Sequence, residues 1–148
     1  MDRIDELFAI EEIKRLKARY FECIDDQLWK EWGALFCEDA TMDIAGDQPG
    51  PDSVVQGADR IAATVSGYLV GARTVHHGHT PRIEMLSEHD ARGVWAMQDL
   101  VIWPEPTVPP GPFRRLQGYG HYHETYSREA EGWRIKSLRL TRLHLELS

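Results

Sequence analysis

The chain has 148 residues, 42% of them hydrophobic and 28% charged, with 24 acidic against 17 basic residues and a net charge of −7. That is the length of one domain, spanning residues 1–148, with enough apolar material for one core; it excludes general disorder. Apolar runs stay well short of the roughly 18 residues of a membrane-spanning helix, and the absence of a basic stripe argues against nucleic acid as a partner.

The charged opening Met1-Asp2-Arg3-Ile4-Asp5-Glu6 does not lead into an apolar stretch, so a signal peptide is not expected. Cys23 and Cys37 are too few for a disulfide framework and lack zinc-ligand spacing. The expectation is a reduced, cytoplasmic protein.

In chain order, residues 4–24 predict a helix. Ile4, Phe8, Ile13, Leu16, Tyr20 and Ile24 recur at mostly helical spacing, with Glu11, Glu12, Lys14, Arg15, Lys17 and Arg19 as the polar complement. Asp25 or Asp26 can cap a second helix through Trp29, Trp32, Leu35 and Phe36. Residues 40–45 alternate as a short strand, 46–51 form a Gly/Pro loop, and 58–69 predict a third helix between Gly57 and Gly71. Four segments then read as β: 73–86 with a bend at Pro81, 91–103, 114–127 and, after a Glu131-Gly132 turn, 133–147. The fold class is α+β: about three N-terminal helices on one face of a long, curved, antiparallel or mixed sheet.

Strand parity isolates the polar residues that bear on chemistry. Asp99 shares a face with Trp95, Met97, Val101 and Trp103, an expensive place for an unpaired carboxylate. The alternative core face is Val94, Ala96, Leu100 and Ile102, with Asp99 outward. In the last strand, Trp133 and Ile135 have one parity and Leu138 and Leu140 the other, which requires a bulge. Arg142 continues the second face, either as a surface charge or as an inward cation opposite Asp99 or a substrate oxygen.

His76, His77 and His79 crowd one strand. His77 and His79 share a face, but no carboxylate accompanies them as a third ligand, so no metal site is expected; a general acid–base role suits an imidazole better. Parity alone leaves open which histidine faces inward. His121 and His123 share a face opposite Tyr122 and read as surface or subunit-interface positions. Tyr20 reads as a core tyrosine whose hydroxyl needs a partner. Asp25 is either a helix cap or, if Asp26 caps, a side chain turned toward a pocket.

The run Ala9-Ile10-Glu11-Glu12-Ile13-Lys14-Arg15-Leu16-Lys17-Ala18-Arg19-Tyr20-Phe21, followed by Cys23-Ile24-Asp25, resembles the opening helix of SnoaL-like proteins of the nuclear transport factor 2-like superfamily. The stretch His76-His77-Gly78-His79-Thr80-Pro81-Arg82-Ile83, then Ala91-Arg92-Gly93-Val94-Trp95, Asp99, Gly120-His121-Tyr122 and Gly132-Trp133-Arg134-Ile135, extends the resemblance over nearly the whole chain. Residues 46–51 and 104–112 match least.

The resemblance implies a cone: a strongly curved sheet closed by helices around an apolar cavity. Within the family, the chain resembles bile-acid 7α-dehydratase and hexachlorocyclohexane dehydrochlorinase. The resemblance to the dehydratase puts its catalytic positions on Tyr20, Asp25 and His76, with Asp99 and Arg142 as further active-site positions, and the His-Asp dyad of the dehydrochlorinase falls on His76 and Asp25.

The implied activity is a cofactor-independent lyase. His76 is the general base, Asp25 orients it, Tyr20 donates a hydrogen bond, and Asp99 and Arg142 position polar groups. Trp29, Trp32, Phe36, Trp95, Met97, Trp103 and Tyr122 are the candidate walls for a hydrophobic cyclic substrate: a steroid, terpenoid, polyketide or aromatic catabolite. An isomerase, polyketide cyclase or epoxide-type hydrolase on the same scaffold, a non-catalytic binder and a dioxygenase small subunit remain as alternatives. Relatives pair through the outer face of the sheet, so a homodimer is expected, with a trimer as the alternative.

Overall fold

The computed structural model describes residues 1–47 and 49–148. Helix α1 (Arg3–Asp25) starts at Asp2, whose carboxylate accepts from the amides of Ile4 and Asp5 in a capping box. Its buried stripe is Ala9, Ile13, Leu16, Lys17, Tyr20, Cys23 and Ile24. The predicted stripe is therefore corrected at both ends of its chemistry: Ile4 and Phe8 are exposed, and Lys17, assigned to the polar face, has no exposed surface at all.

The helix ends where Gln27 adopts a left-handed backbone (φ 57°) and the Leu28 amide returns to the Cys23 carbonyl at 2.8 Å. Helix α2 (Trp29–Gly33) is a single turn, and its N-cap is Leu28, with no side-chain cap from Asp25 or Asp26. Phe36 is not in it. Strand β1 (Phe36–Asp43) begins there, four residues before the predicted strand, because Phe36 pairs with Ile135 and Leu35 accepts the Ile135 amide at 2.9 Å. Pairing with a distant strand outweighs apolar spacing that suits a helix.

A short β2 (Val54–Gln56), which the sequence pattern did not suggest, adds an edge to β1. Helix α3 (Ala58–Tyr68) lies where predicted, followed by β3 (Arg73–Met85), β4 (Asp90–Ile102), β5 (Arg115–Glu129) and β6 (Gly132–Leu147). The six strands form one mixed sheet in the order β2-β1-β6-β5-β4-β3, and only β1 and β6 run parallel. No helix among the described residues is long and apolar enough to cross a membrane.

The sheet curves at its bulges. In β6 the extra residue is Lys136, which switches parity between Ile135 and Leu138 as expected; Leu143 makes a second bulge beside Arg142. In β3 the register slips between His79 and Arg82, at the predicted bend. The concave face carries Trp95, Met97, Asp99 and Val101 of β4 and Tyr122, Glu124 and Tyr126 of β5, all buried, while Val94, Leu100 and Ile102 are half-buried on the other side. Of the two faces open for Asp99, the inward one is realised. Gly78 lets α1 approach β3: a Cβ there would lie 2.7 Å from the Phe21 ring.

Between α1 and the sheet lies a fully buried ion pair, Lys17 with Glu124. Glu124 also accepts from the Tyr126 hydroxyl, which in turn accepts the Trp95 indole N–H at 2.8 Å. Burial pulls the Lys17 ammonium below its ordinary range, and Glu124 opposes that shift. Lys17→Met leaves a buried carboxylate without its cation, so a loss of about 3–5 kcal/mol in stability is expected by urea denaturation. Adding Glu124→Gln to the same chain is expected to restore most of that loss.

Candidate active site

Asp25 is the last residue of α1, where the helix dipole disfavours a negative charge. Three donors from β3 offset this. Thr74 Oγ1 donates to Asp25 Oδ1 at 2.8 Å, the His76 amide to Oδ2 at 3.0 Å, and His76 Nδ1 lies 2.7 Å from Oδ1. Gln27 fixes the register of the two elements by donating to the carbonyls of Leu69 and Ala72, just before β3, at 3.4 and 2.9 Å. Thus His76 is the inward histidine. The carboxylate favours the tautomer with its proton on Nδ1, which in the neutral ring leaves the lone pair on Nε2, and no described residue hydrogen-bonds that nitrogen.

Tyr20 and Tyr122 line the same cavity as His76. Burial pushes both phenols well above their ordinary range, helped by nearby carboxylates at Tyr20 and by Tyr20 and then Asp99 at Tyr122, so both are hydrogen-bond donors at neutral pH. Lys17 Nζ sits over their rings, 3.6 Å from the Tyr20 centroid and 3.9 Å from that of Tyr122.

The cavity's other polar end is a carboxylate–guanidinium–carboxylate cluster. One edge of Arg142 bonds Asp99 at 2.7 and 2.9 Å; the other bonds Asp47 at 2.7 and 3.1 Å. Burial works against the Arg142 charge, but these bonds outweigh it and raise its pKa further. Gly118 makes the room: a Cβ there would overlap Arg142 Nη1 and lie 2.7 Å from Asp99 Oδ1.

The cavity measures about 110 Å³. Besides the polar groups, its lining is aliphatic: Ile24, Met42, Val65, Val101, Leu138 and Leu140 among others. Tyr122 lines the cavity, and the other candidate wall residues lie behind it. Trp32 and Phe36 back the Tyr20 ring, with centroids 5.4 and 6.2 Å away, and Trp29 packs edge-on to Trp32 at 5.7 Å. Trp95 is tied to Tyr126, Trp103 packs against Tyr68 at 5.6 Å, and Met97 turns its sulfur to Arg142. The large rings fill the gaps between layers and hold the smaller side chains around the open space.

His77 is exposed and faces Gln98 at 3.1 Å, with the His79 ring 6.0 Å away; His121 and His123 are half-buried on the outer sheet face. Both cysteines are free and buried, and burial pushes the Cys37 thiol up to about 12, which makes it a poor nucleophile. Asp47 and Thr74 are site residues that the sequence reading missed. Asp47 belongs to a loop without period, although a lone carboxylate near an inward arginine was a usable signal. Thr74 stands two residues before His76, on the same strand face.

A model of the SnoaL-like domain family matches residues 5–139. Among solved structures, a candidate scytalone dehydratase from Novosphingobium aromaticivorans superposes over 98% of this chain and 91% of its own, with a TM-score of 0.83 and 21% identity. A Kribbella flavida protein covers 95% of each chain, at a TM-score of 0.84 and 19% identity. A hexachlorocyclohexane dehydrochlorinase from Novosphingobium barchaimii covers 99% and 94%, at 0.79 and 15%. At these identities the likeness shows the fold.

Two measurements probe this geometry. Gly118→Ala is expected to split Arg142 from Asp99 and to lower stability by about 1–3 kcal/mol in urea. Tyr20, Tyr68, Tyr122 and Tyr126, four of the five tyrosines, are all raised above their ordinary range, chiefly by burial. A phenol raised in the folded state stabilises the fold fully below its unfolded pKa of about 10, and that contribution is lost as the pH climbs toward the folded value. Absorbance at 295 nm is therefore expected to report these four ionising together with alkaline loss of the near-UV circular dichroism, not before it.

Proposed function

Because the chain belongs to the SnoaL-like family, we propose that its cavity serves a small-molecule lyase that eliminates across a ring carbon–carbon bond. The observation that carries this reading is the 2.7 Å contact between Asp25 and His76 Nδ1 at the cavity wall. His76 Nε2 takes a proton from carbon. The C–H electron pair becomes the new double bond, and the neighbouring carbon–oxygen or carbon–halogen bond breaks, its pair leaving with the departing group. Asp25 stabilises the imidazolium as it forms, and the Tyr20 or Tyr122 hydroxyl donates to the departing group. A placed base of this kind contributes about 10²–10⁴-fold.

The names of two structural neighbours, a candidate scytalone dehydratase and a hexachlorocyclohexane dehydrochlorinase, are in keeping with elimination. The volume of about 110 Å³ selects from the expected substrate range. A dry cavity of about 150 Å³ holds benzene, so the space admits no more than a single ring, and the aromatic-catabolite end of the range is favoured over a steroid.

One observation favours a hydrolase as the second reading. Asp47 and Asp99 both line the cavity, so one carboxylate takes a proton from water as that water attacks an epoxide carbon, and the Tyr20 or Tyr122 hydroxyl protonates the epoxide oxygen as its carbon–oxygen bond breaks. The test is a mass-spectrometric screen of single-ring compounds bearing a hydroxyl or chloride beside a C–H. The lyase produces loss of water or hydrogen chloride, and His76→Ala and Asp25→Asn each reduce it by about 10²–10⁴-fold. Unchanged turnover in both variants removes the mechanism, and gain of water by an epoxide probe supports the hydrolase.

A further inference from the structure

Arg142 has five N–H donors, and all five are already committed. Nε bonds Asp47 Oδ1 at 2.7 Å. Nη2 bonds Asp47 Oδ2 at 3.1 Å and Asp99 Oδ2 at 2.9 Å. Nη1 bonds Asp99 Oδ1 at 2.7 Å and faces Met97 Sδ at 3.6 Å. An arginine that captures a carboxylate or phosphate needs an open edge of its fork, and here each edge holds an aspartate. Arg142 therefore cannot act as an anion receptor without first breaking one of these pairs.

The charge count points the same way. Two carboxylates against one guanidinium leave this end of the cavity at −1. Asp47 and Asp99 both line the open space, and each carboxylate oxygen retains a lone pair beyond the one Arg142 uses. The nearest other buried cation, Lys17, is neutralised by Glu124 and sealed behind the rings of Tyr20 and Tyr122. The uncharged donors on the lining are the hydroxyls of Tyr20, Thr64, Tyr68 and Tyr122, with the His76 imidazole among them.

Resting on the lyase reading of this cavity, we propose that the Asp47–Arg142–Asp99 cluster selects a single-ring substrate bearing a hydroxyl and no negative charge. That hydroxyl donates to Asp47 or Asp99, while the departing group meets the phenols. Carboxylated or phosphorylated versions of the same ring are turned away, because their oxygens would meet acceptors and a like charge in a poorly solvated space. The cluster thus sets both the charge class of the substrate and its direction in the cavity.

The test is calorimetric titration with two nearly isosteric probes, benzyl alcohol and benzoate, at pH 7.5. Benzyl alcohol is expected to bind about tenfold or more tightly than benzoate. Asp47→Asn keeps an acceptor in a partly exposed loop but makes the cluster neutral, and is expected to bring that ratio to about threefold or less. Equal or tighter binding of benzoate, a ratio unmoved by Asp47→Asn, or saturation by neither probe overturns the proposal. The assay reads binding and not turnover. An intact ratio beside a screen with no elimination product counts against the lyase alone, and product beside an inverted ratio counts against the selection alone.

Discussion

The site depends on one carboxylate placed against the preference of its own helix. Asp25 closes α1 at the end where the dipole is negative, so the helix by itself disfavours it. Three donors on β3 reverse the balance, and in doing so they couple the end of α1 to the strand that bears His76. The same bonds orient the imidazole and set its tautomer. A local conflict resolved only by a distant strand is the pattern expected of a functional position.

The cavity is bounded by two charge clusters of opposite design. Lys17 and Glu124 form a balanced pair without solvent contact, locked between α1 and the sheet by two aromatic faces, and they carry packing and donor geometry to Tyr20 and Tyr122. Asp47, Arg142 and Asp99 are unbalanced by one negative charge and open onto the cavity. The first is paired so that it can be buried; the second leaves acceptors exposed to a guest. The tryptophans serve neither cluster directly. They set the spacing between layers, which keeps a small space open where a looser core would collapse into it.

Much of this was legible in the residues. Alternation in 91–103 and 133–147 marked the long strands, and the parity switch after Ile135 marked a bulge where Lys136 is extruded. The same alternation named Asp99 and Arg142 as polar residues on apolar faces without showing that they face each other; their pairing across β4, β5 and β6 depends on the register of three strands. His76 could not be told from His77 by parity, because the bend at residues 80–81 obscures which face is inward. Lys17 was misassigned because helical periodicity treats charge as a mark of the surface, whereas a buried partner 107 residues away reverses that rule.

The kinds of element, the alternation that builds a curved sheet and an inventory of ionisable groups suited to proton transfer are all written locally, because they follow from short-range sterics and from the periods of helix and strand. Which of those groups meet is fixed by how distant segments pack. Asp47 comes from an aperiodic loop, Gly118 matters through an atom it lacks, and Phe36 is a strand residue because β6 lies beside it. Such facts are set by the close approach of segments far apart along the chain, and no local pattern encodes that distance.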